Sequence, residues 1–567
     1  MTILGTPRHA DERGSVLVIV VVFGILLGIG CISLLSFSEA RIKASHHRWN
    51  STEAFYHAEN VLNWGAQMIA DTAGSPVGTY SMSDGNLALG YMGSLNSSNT
   101  AFQNAWLTVS AHTNGQANTY LVTASAKVEN RVRTVQATVQ KNPASEVFDY
   151  EYFLNNWGWW WGSNITGHGS NRANADFDFR GNPTVNGVII ANGDIESNGI
   201  RIDRLGGPIP INGLAGQDPL AYLHDRAPKL EMPNLKNLNY YQNLAYAKGG
   251  SLSVSGSPIV NAVHTNTAKP GLYLKGTAAK PIRIDGPVVI PGDVVISGPI
   301  TGIGTLYVGG NLYIAGDITY ANGPDFGSMP ETQSATARDA WVKNNIDSDK
   351  DLVAFAVREN ILAGNVNSSA WKNACYDPAP YGMKHVGAEA RLGADGIPGT
   401  PDDGVKYWNT SGTGAPNSAW HDVDGDGVID TSYSYSRDVE MDKTRAKKIQ
   451  GYPTKDDDDD DDSKLEDFDK LSSNNFNTLN GIFYCNHAAA MRAAKNDFVL
   501  NGSLICRDEA VIFSRSAKLV YDSRIHSRYA NDPNRYIDLG LPQAGKCKMV
   551  SFTELAPIEG FYSANAQ

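Results

Sequence analysis

The sequence predicts an α+β chain: one long N-terminal helix, a small antiparallel sheet, then a mainly β parallel solenoid carrying an irregular acidic insertion. Three observations predict it. An uncharged apolar run, Ser15 to Phe37, passes without a proline into an amphipathic stretch that ends near Asp71. Residues 119–141 alternate apolar and polar side chains across short turns. Glycines then recur every six residues through the centre of the chain.

The apolar run is long enough to cross a membrane, which takes ~20 residues. A cleavable secretory signal would be shorter and would end in a small-x-small exit, for which `SFSEA` is a poor substitute. A lipoprotein anchor would need an aliphatic residue three before Cys31, where Gly28 stands. Beyond the run, Phe55, Ala58, Leu62, Ala66 and Ile69 recur at three and four, an amphipathic helix stripe. The two halves predict one helix over 15–71, with 15–37 in the membrane and about 80 Å long at 1.5 Å per residue.

A short polar leader ending in Gly14, an apolar helix opening `RG|SVLVIVVV`, and an amphipathic second half resemble a type IV prepilin. The stretch `TEAFYHAENVLNWG` is similar to the corresponding region of PilX-type minor pilins. The resemblance implies a leader, 1–14, removed by prepilin peptidase between Gly14 and Ser15, with methylation of the new N-terminus. It also implies partners: other pilins or pseudopilins through the N-terminal helix, and the inner membrane before assembly. Pilins usually carry Glu five residues into the mature chain, but Ile19 stands there. Loss of that carboxylate resembles PilX-type minor pilins and the K-type tip pseudopilin. An amine buried without a partner is costly, so Ile19 argues against an endlessly polymerising subunit.

After the helix, `TYLVTASAKV` and `RVRTVQATVQ` read as antiparallel strands with `TNG` and `EN` as turns. A small pilin-like β domain would cover 72–142, with Pro143 at its boundary. Glycines at 286, 292, 298, 304, 310 and 316 then keep an exact step of six. Apolar residues follow two and four places after most of them, as in Val288 and Ile290, or Leu312 and Ile314. The step returns at Gly181, Gly187, Gly193 and Gly199, and at Gly250 and Gly256. That period is a solenoid signature, bactofilin-like in its repeat, with either handedness open. The solenoid would span 143–325, resuming at 479–567 as its end and C-terminal cap. Trp157, Trp159, Trp160 and Trp161 read as a cap over the first rung, or as a surface for sugars or a partner.

Between them, 326–478 reads as an insertion, in which `LVAFAVRENILAGNV` suggests one more strand pair. It holds most of the net charge of −12, including the aspartate run 456–462, a solvated tether. Its sharpest motif is `DVDGDGVID`. Asp422, Asp424, Asp426, the Val428 carbonyl and Asp430 supply calcium-loop oxygens, with Ca²⁺ as the expected cofactor. Tyr433 replaces the usual closing Glu, so the loop resembles dockerin-type DxDxDGxxD turns. Cys485 and Cys506 both fall four after a hexad glycine and are candidates either for a disulfide or for stacked reduced thiols.

No basic cluster suggests nucleic acid, and no nucleophile elbow, phosphate loop or HExxH motif suggests an enzyme. Asp178, Asp285 and Asp317 are the acids that a carbohydrate-active β-helix would use. The sequence therefore points first to a minor pilin or pseudopilin of a type IV pilus or type II secretion-like filament. It would sit in the bacterial inner membrane as a single-pass protein and then on the pilus or cell surface. There its solenoid would serve assembly priming, adhesion or binding of a surface glycan or protein. The alternative is a membrane-anchored carbohydrate-active enzyme.

Overall fold

The computed structural model describes residues 13–71, 76–81, 105–112, 119–141, 145–202, 208–330, 334–376, 435–455 and 464–556, apart from 234, 236–237, 255, 531, 533 and 544–546. The fold class is the one expected: a long N-terminal helix, a small antiparallel sheet and a large parallel-stranded sheet. The chain divides into two compact units, Met1–Asn142 with Lys546–Gln567, and Pro143–Gly545.

In the first unit, α1 runs unbroken from Arg13 to Asp71. Strands β1 (Gly78–Ser81), β2 (Ala105–Ala111), β3 (Thr119–Val128) and β4 (Arg131–Lys141) follow in order, each antiparallel to the next. The expected helix stripe does the packing. Ala58, Leu62, Ala66 and Ile69 are buried with Leu107, Val109, Val122, Val135 and Val139 from alternate strand positions. Gly65 lets the helix come close, because a Cβ there would lie 2.8 Å from the Leu107 side chain. The `EN` turn between β3 and β4 puts Glu129 at φ 49°.

One assignment is corrected here. Residues 479–567 do not all close the solenoid: Cys547–Leu555 pairs antiparallel with β4 as the fifth strand of the small sheet. Arg133 and Glu554 join the two strands through a 2.7 Å ion pair. The whole second unit is thus inserted between two neighbouring strands of the first.

The second unit is a stack of parallel rungs. Gly286 pairs with Gly304 and Val294 with Leu312, so one rung is three hexads. The apolar hexad positions Val288, Ile290, Val294, Ile296, Leu306, Val308, Leu312 and Ile314 are all fully buried in one core. Positions between them are buried as well, for a different reason. Val289 and Tyr307 lie beneath the helix Leu238–Lys248, and Val295 and Tyr313 pack with Trp371, Val439 and Phe468 from the insertion. The excursions cover outer sheet faces that would otherwise meet water.

The insertion is also divided. Leu352–Val357 and Ile361–Ala363 form two sides of a rung between Ile303–Ile314 and Ile482–Met491, and Leu479, paired with Ile318, supplies the third. From there the stack continues through Ala488–Cys506, and then its order departs from that of the chain. Leu504, Ile505 and Cys506 pair with Tyr152, Phe153 and Leu154, and Ala517–Val520 with Ile165–His168. The first rung in sequence therefore stacks on the last, and its edge needs no tryptophan cap. Antiparallel strands close the stack instead: Ser251–Val254 runs against Ile282–Asp285, with Ser257–Asn261 beyond it, at one end. Ile200–Arg201 runs against Glu196–Ser197 near the other.

Corner side chains hold successive rungs together. Asn311 N–H donates to Asp293 Oδ1 at 2.8 Å, and Asn360 N–H to Asn311 Oδ1 at 3.0 Å. His487 Nδ1 lies 2.7 Å from Asn360 Oδ1. Asn311, Asn360 and His487 are fully buried, so this ladder satisfies backbone groups that would otherwise be costly at a corner.

Candidate functional site

Among the described residues one helix is long and apolar enough to cross a membrane, and it is α1. From Leu17 on, its apolar half is open: Leu17, Ile19, Phe23, Leu27, Leu34 and Phe37 are all more than half exposed. A Cβ added at Gly24, Gly28 or Gly30 would meet nothing within 4 Å beyond the helix's own backbone. The described part of the helix runs from Arg13 and includes Gly14 and Ser15. The first charges past the apolar half are locally partnered, with Arg41 over the Phe37 ring and Lys43 2.6 Å from Glu39. The carboxylate position of the pilin pattern, Ile19, carries an exposed apolar side chain.

The other candidate residues lie elsewhere. Asp422, Asp424, Asp426, Val428 and Asp430 fall outside the described residues, as does the aspartate run. Among the described residues no group of three or more His, Cys, Asp or Glu side chains is placed to hold a metal. Cys485 and Cys506 are register partners on neighbouring parallel strands, fully buried, and both are free thiols. Burial and the neighbouring Cys485 push the Cys506 thiol well up, away from the reactive thiolate. Equal thiol counts are therefore expected for the denatured protein with and without reductant. A deficit of two without reductant would reveal a bridge.

Asp178, Asp285 and Asp317 stand in three different strands and each is engaged locally. Asp285 pairs with Arg283 at 2.6 Å, and Asp317 accepts from the Asn477 and Thr478 N–H groups. Asp178 alone has a second carboxylate beside it, Glu196, its register partner. Burial raises the Glu196 pKa, and Asp178 and Asp194 add to the rise.

Asp178 belongs to a four-stranded sheet formed by Gly158–Trp161, Phe177–Arg180, Ile195–Ser197 and Ile200–Arg201. Trp160, Phe177, Phe179 and Ile195 face the core. The opposite face carries the row Trp159, Asp178, Glu196 and Arg201, and beside it the pair Trp161 and Arg180. The tryptophans are not equivalent: Trp157 and Trp160 are buried, while Trp161 is 41% exposed. Sequence reasoning marked the tryptophans but not Arg180, Glu196 or Arg201, because only strand register brings these onto one face.

Sequence reasoning also missed a buried acid. Glu151 is fully buried where the first rung meets the last, accepting from Asn171 Nδ2 at 2.9 Å. Burial pushes its pKa up to about 8. The only signal was one Glu beside an apolar triplet, which does not distinguish an inward from an outward carboxyl.

No protein-family model matches the chain, and no curated protein matches it. Among solved structures, the chain is similar to the crystal structure of the competence-associated pilin ComZ from Thermus thermophilus. The identity is 10% and the TM-score 0.28, over 89% of this chain and 97% of that one. At that score the superposition supports no inference about this chain.

Proposed function

We propose that the chain is a minor pilin or pseudopilin that carries a large solenoid into a type IV pilus or a type II secretion-like filament. The observation that carries this reading is α1 itself. It is one continuous helix whose first half exposes its described large apolar side chains, from Leu17 to Phe37, and whose second half packs on an antiparallel sheet. A helix built that way places one half in lipid, or among like helices, and leaves the other half to hold a folded domain. On this reading prepilin peptidase cuts after Gly14, Ser15 becomes the methylated N-terminus, and neighbouring subunits contact the Ser15–Phe37 segment. The protein then waits in the inner membrane before moving to the pilus or cell surface. Ile19 in place of a carboxylate suits a subunit added once, at or near a tip.

The test is a Gly14→Trp variant compared with wild type by N-terminal mass analysis and surface labelling. The expected outcome is an intact leader and a precursor retained in the inner membrane. Normal surface display of Gly14→Trp would overturn the proposal.

A further inference from the structure

Where the first rung meets the last, a cavity of about 220 Å³ lies between the outer face of the sheet and the segment 326–330. Leu519 and Val185 point into the core, so their neighbours Lys518, Val520 and Asn186 point away from it. His168, the register partner of Val520, shares that face. These four residues line one wall, and Phe326 and Met329 line the other. The second wall is held from behind. Phe326 packs on Trp341 with ring centroids 6.2 Å apart, and Met329 Sδ lies 3.8 Å from Ser523 Oγ. The Gly327 N–H donates to Asp325 Oδ1 at 2.9 Å, which fixes the turn between them. Both walls are therefore set by contacts outside the cavity.

The walls differ in kind, and the difference narrows the choice of ligand. The sheet wall carries an amino group, an imidazole and an amide, with Asn186 Nδ2 3.5 Å from His168 Nδ1. All three groups can donate hydrogen bonds. Among the described residues no acid lines the cavity, and none pairs with Lys518, an exposed cation. The opposite wall offers a phenyl ring and a thioether, and a thioether packs favourably against aromatic edges. A molecule that satisfies both walls has one negative charge at one end and an apolar body at the other. The volume falls below the ~300–1,000 Å³ of drug-sized sites, so that body is small. Phosphate fits less well, because its further oxygens would be pressed against the apolar wall and lose their water.

We propose that this cavity binds a small aromatic monocarboxylate, its carboxylate at Lys518, His168 and Asn186 and its ring against Phe326 and Met329. Such a site goes beyond the filament role, and because it lies wholly within the inserted unit it does not depend on pilin processing. The test uses the full-length protein in detergent, titrated with phenylacetate, 2-phenylacetamide, acetate and inorganic phosphate, with calorimetry and saturation-transfer NMR as readouts. Phenylacetate is expected to saturate with a Kd on the order of 1 mM, in keeping with its small number of non-hydrogen atoms. The amide lacks the charge, while acetate and phosphate lack the ring, so each should bind at least about fivefold more weakly. Lys518→Met should weaken phenylacetate about fivefold, the loss of a charge-assisted hydrogen bond discounted for exposure. It should also erase the preference for phenylacetate over the amide. Lys518→Arg should keep most of the affinity, and Lys275→Met, on an exposed lysine outside the cavity, all of it. Lys518 is exposed, so its variants should unfold at the wild-type temperature. Failure of phenylacetate to saturate, equal binding of the amide or of phosphate, or wild-type binding by a folded Lys518→Met protein would overturn the proposal.

Discussion

Replacing Gly502 with valine is expected to abolish cooperative folding of the inserted unit. Gly502 has φ +141° and pairs with Gly481, which has φ +142°. A Cβ on Gly502 would lie 1.8 Å from the Gly481 carbonyl oxygen and 2.7 Å from its carbon. Both are backbone atoms of a neighbouring rung, so no side chain can swing aside. The dihedral alone costs a non-glycine residue about 1–3 kcal/mol. With the clash the loss should exceed ~4 kcal/mol, a large share of the stability of an ordinary domain. Gly316→Val is the control. That position has no positive φ, and its Cβ would meet only the Ser297 side chain at 3.7 Å. Thermal melts and limited proteolysis should show early cleavage of Gly502→Val and nearly native behaviour of Gly316→Val. If the two melt alike, the corner is not held as described.

Glu151→Gln should stabilise the protein near neutral pH and flatten its pH dependence. Burial raises the carboxyl from its ordinary 4.5 to about 8. A raised folded-state value means that the favourable contribution is complete below about pH 4.5, where both states hold the proton. It is lost as pH rises towards 8, because the unfolded chain ionises freely while the folded chain must keep its proton or bury a charge. At ~1.4 kcal/mol per pH unit, the loss at pH 7 is on the order of 3 kcal/mol. Glutamine imitates the protonated acid and does not titrate. Asp149, raised by burial to about 7, adds a slope of the same sign in both proteins, so the comparison isolates Glu151. Urea unfolding at pH 5 and pH 8 would measure it. The wild type should lose much more stability between the two than the variant does, and equal losses would exclude Glu151 as the titrating group.

Local periodicity was legible in the sequence and partner choice was not. The six-residue glycine step carries the phase of the core, since Val288, Ile290, Leu306 and Val308 sit in it as their spacing required. The stripe from Ala58 to Ile69 carries the helix–sheet contact in the same way. Cys547–Leu555 does not alternate cleanly, since Met549 and Val550 are adjacent, and no residue in it announces that its partner lies some four hundred positions earlier. Leu352–Ala363 was legible as a strand pair, but without the six-residue glycine step nothing in it showed that it joins the stack. On the outer face of the four-stranded sheet the tryptophans were visible because they are rare and clustered. Asp178, Glu196 and Arg201 become neighbours only through register, a long-range property that depends on where each rung turns.

The stacking of the first rung on the last has a consequence for biogenesis. Residues 152–224 leave the ribosome early, yet one flank of their sheets has no partner until residues 504–521 arrive. Throughout that interval the nascent chain presents unpaired strand edges, the kind of surface on which chains aggregate. The last strands therefore act as a clasp: the unit cannot shut before almost all of it has been made. A circular permutant makes the point concrete. Joining residue 545 to residue 143 and opening the chain between His224 and Leu238 would make rung order and chain order coincide. Each new rung would then find its template already folded, and the long wait for a clasp would disappear.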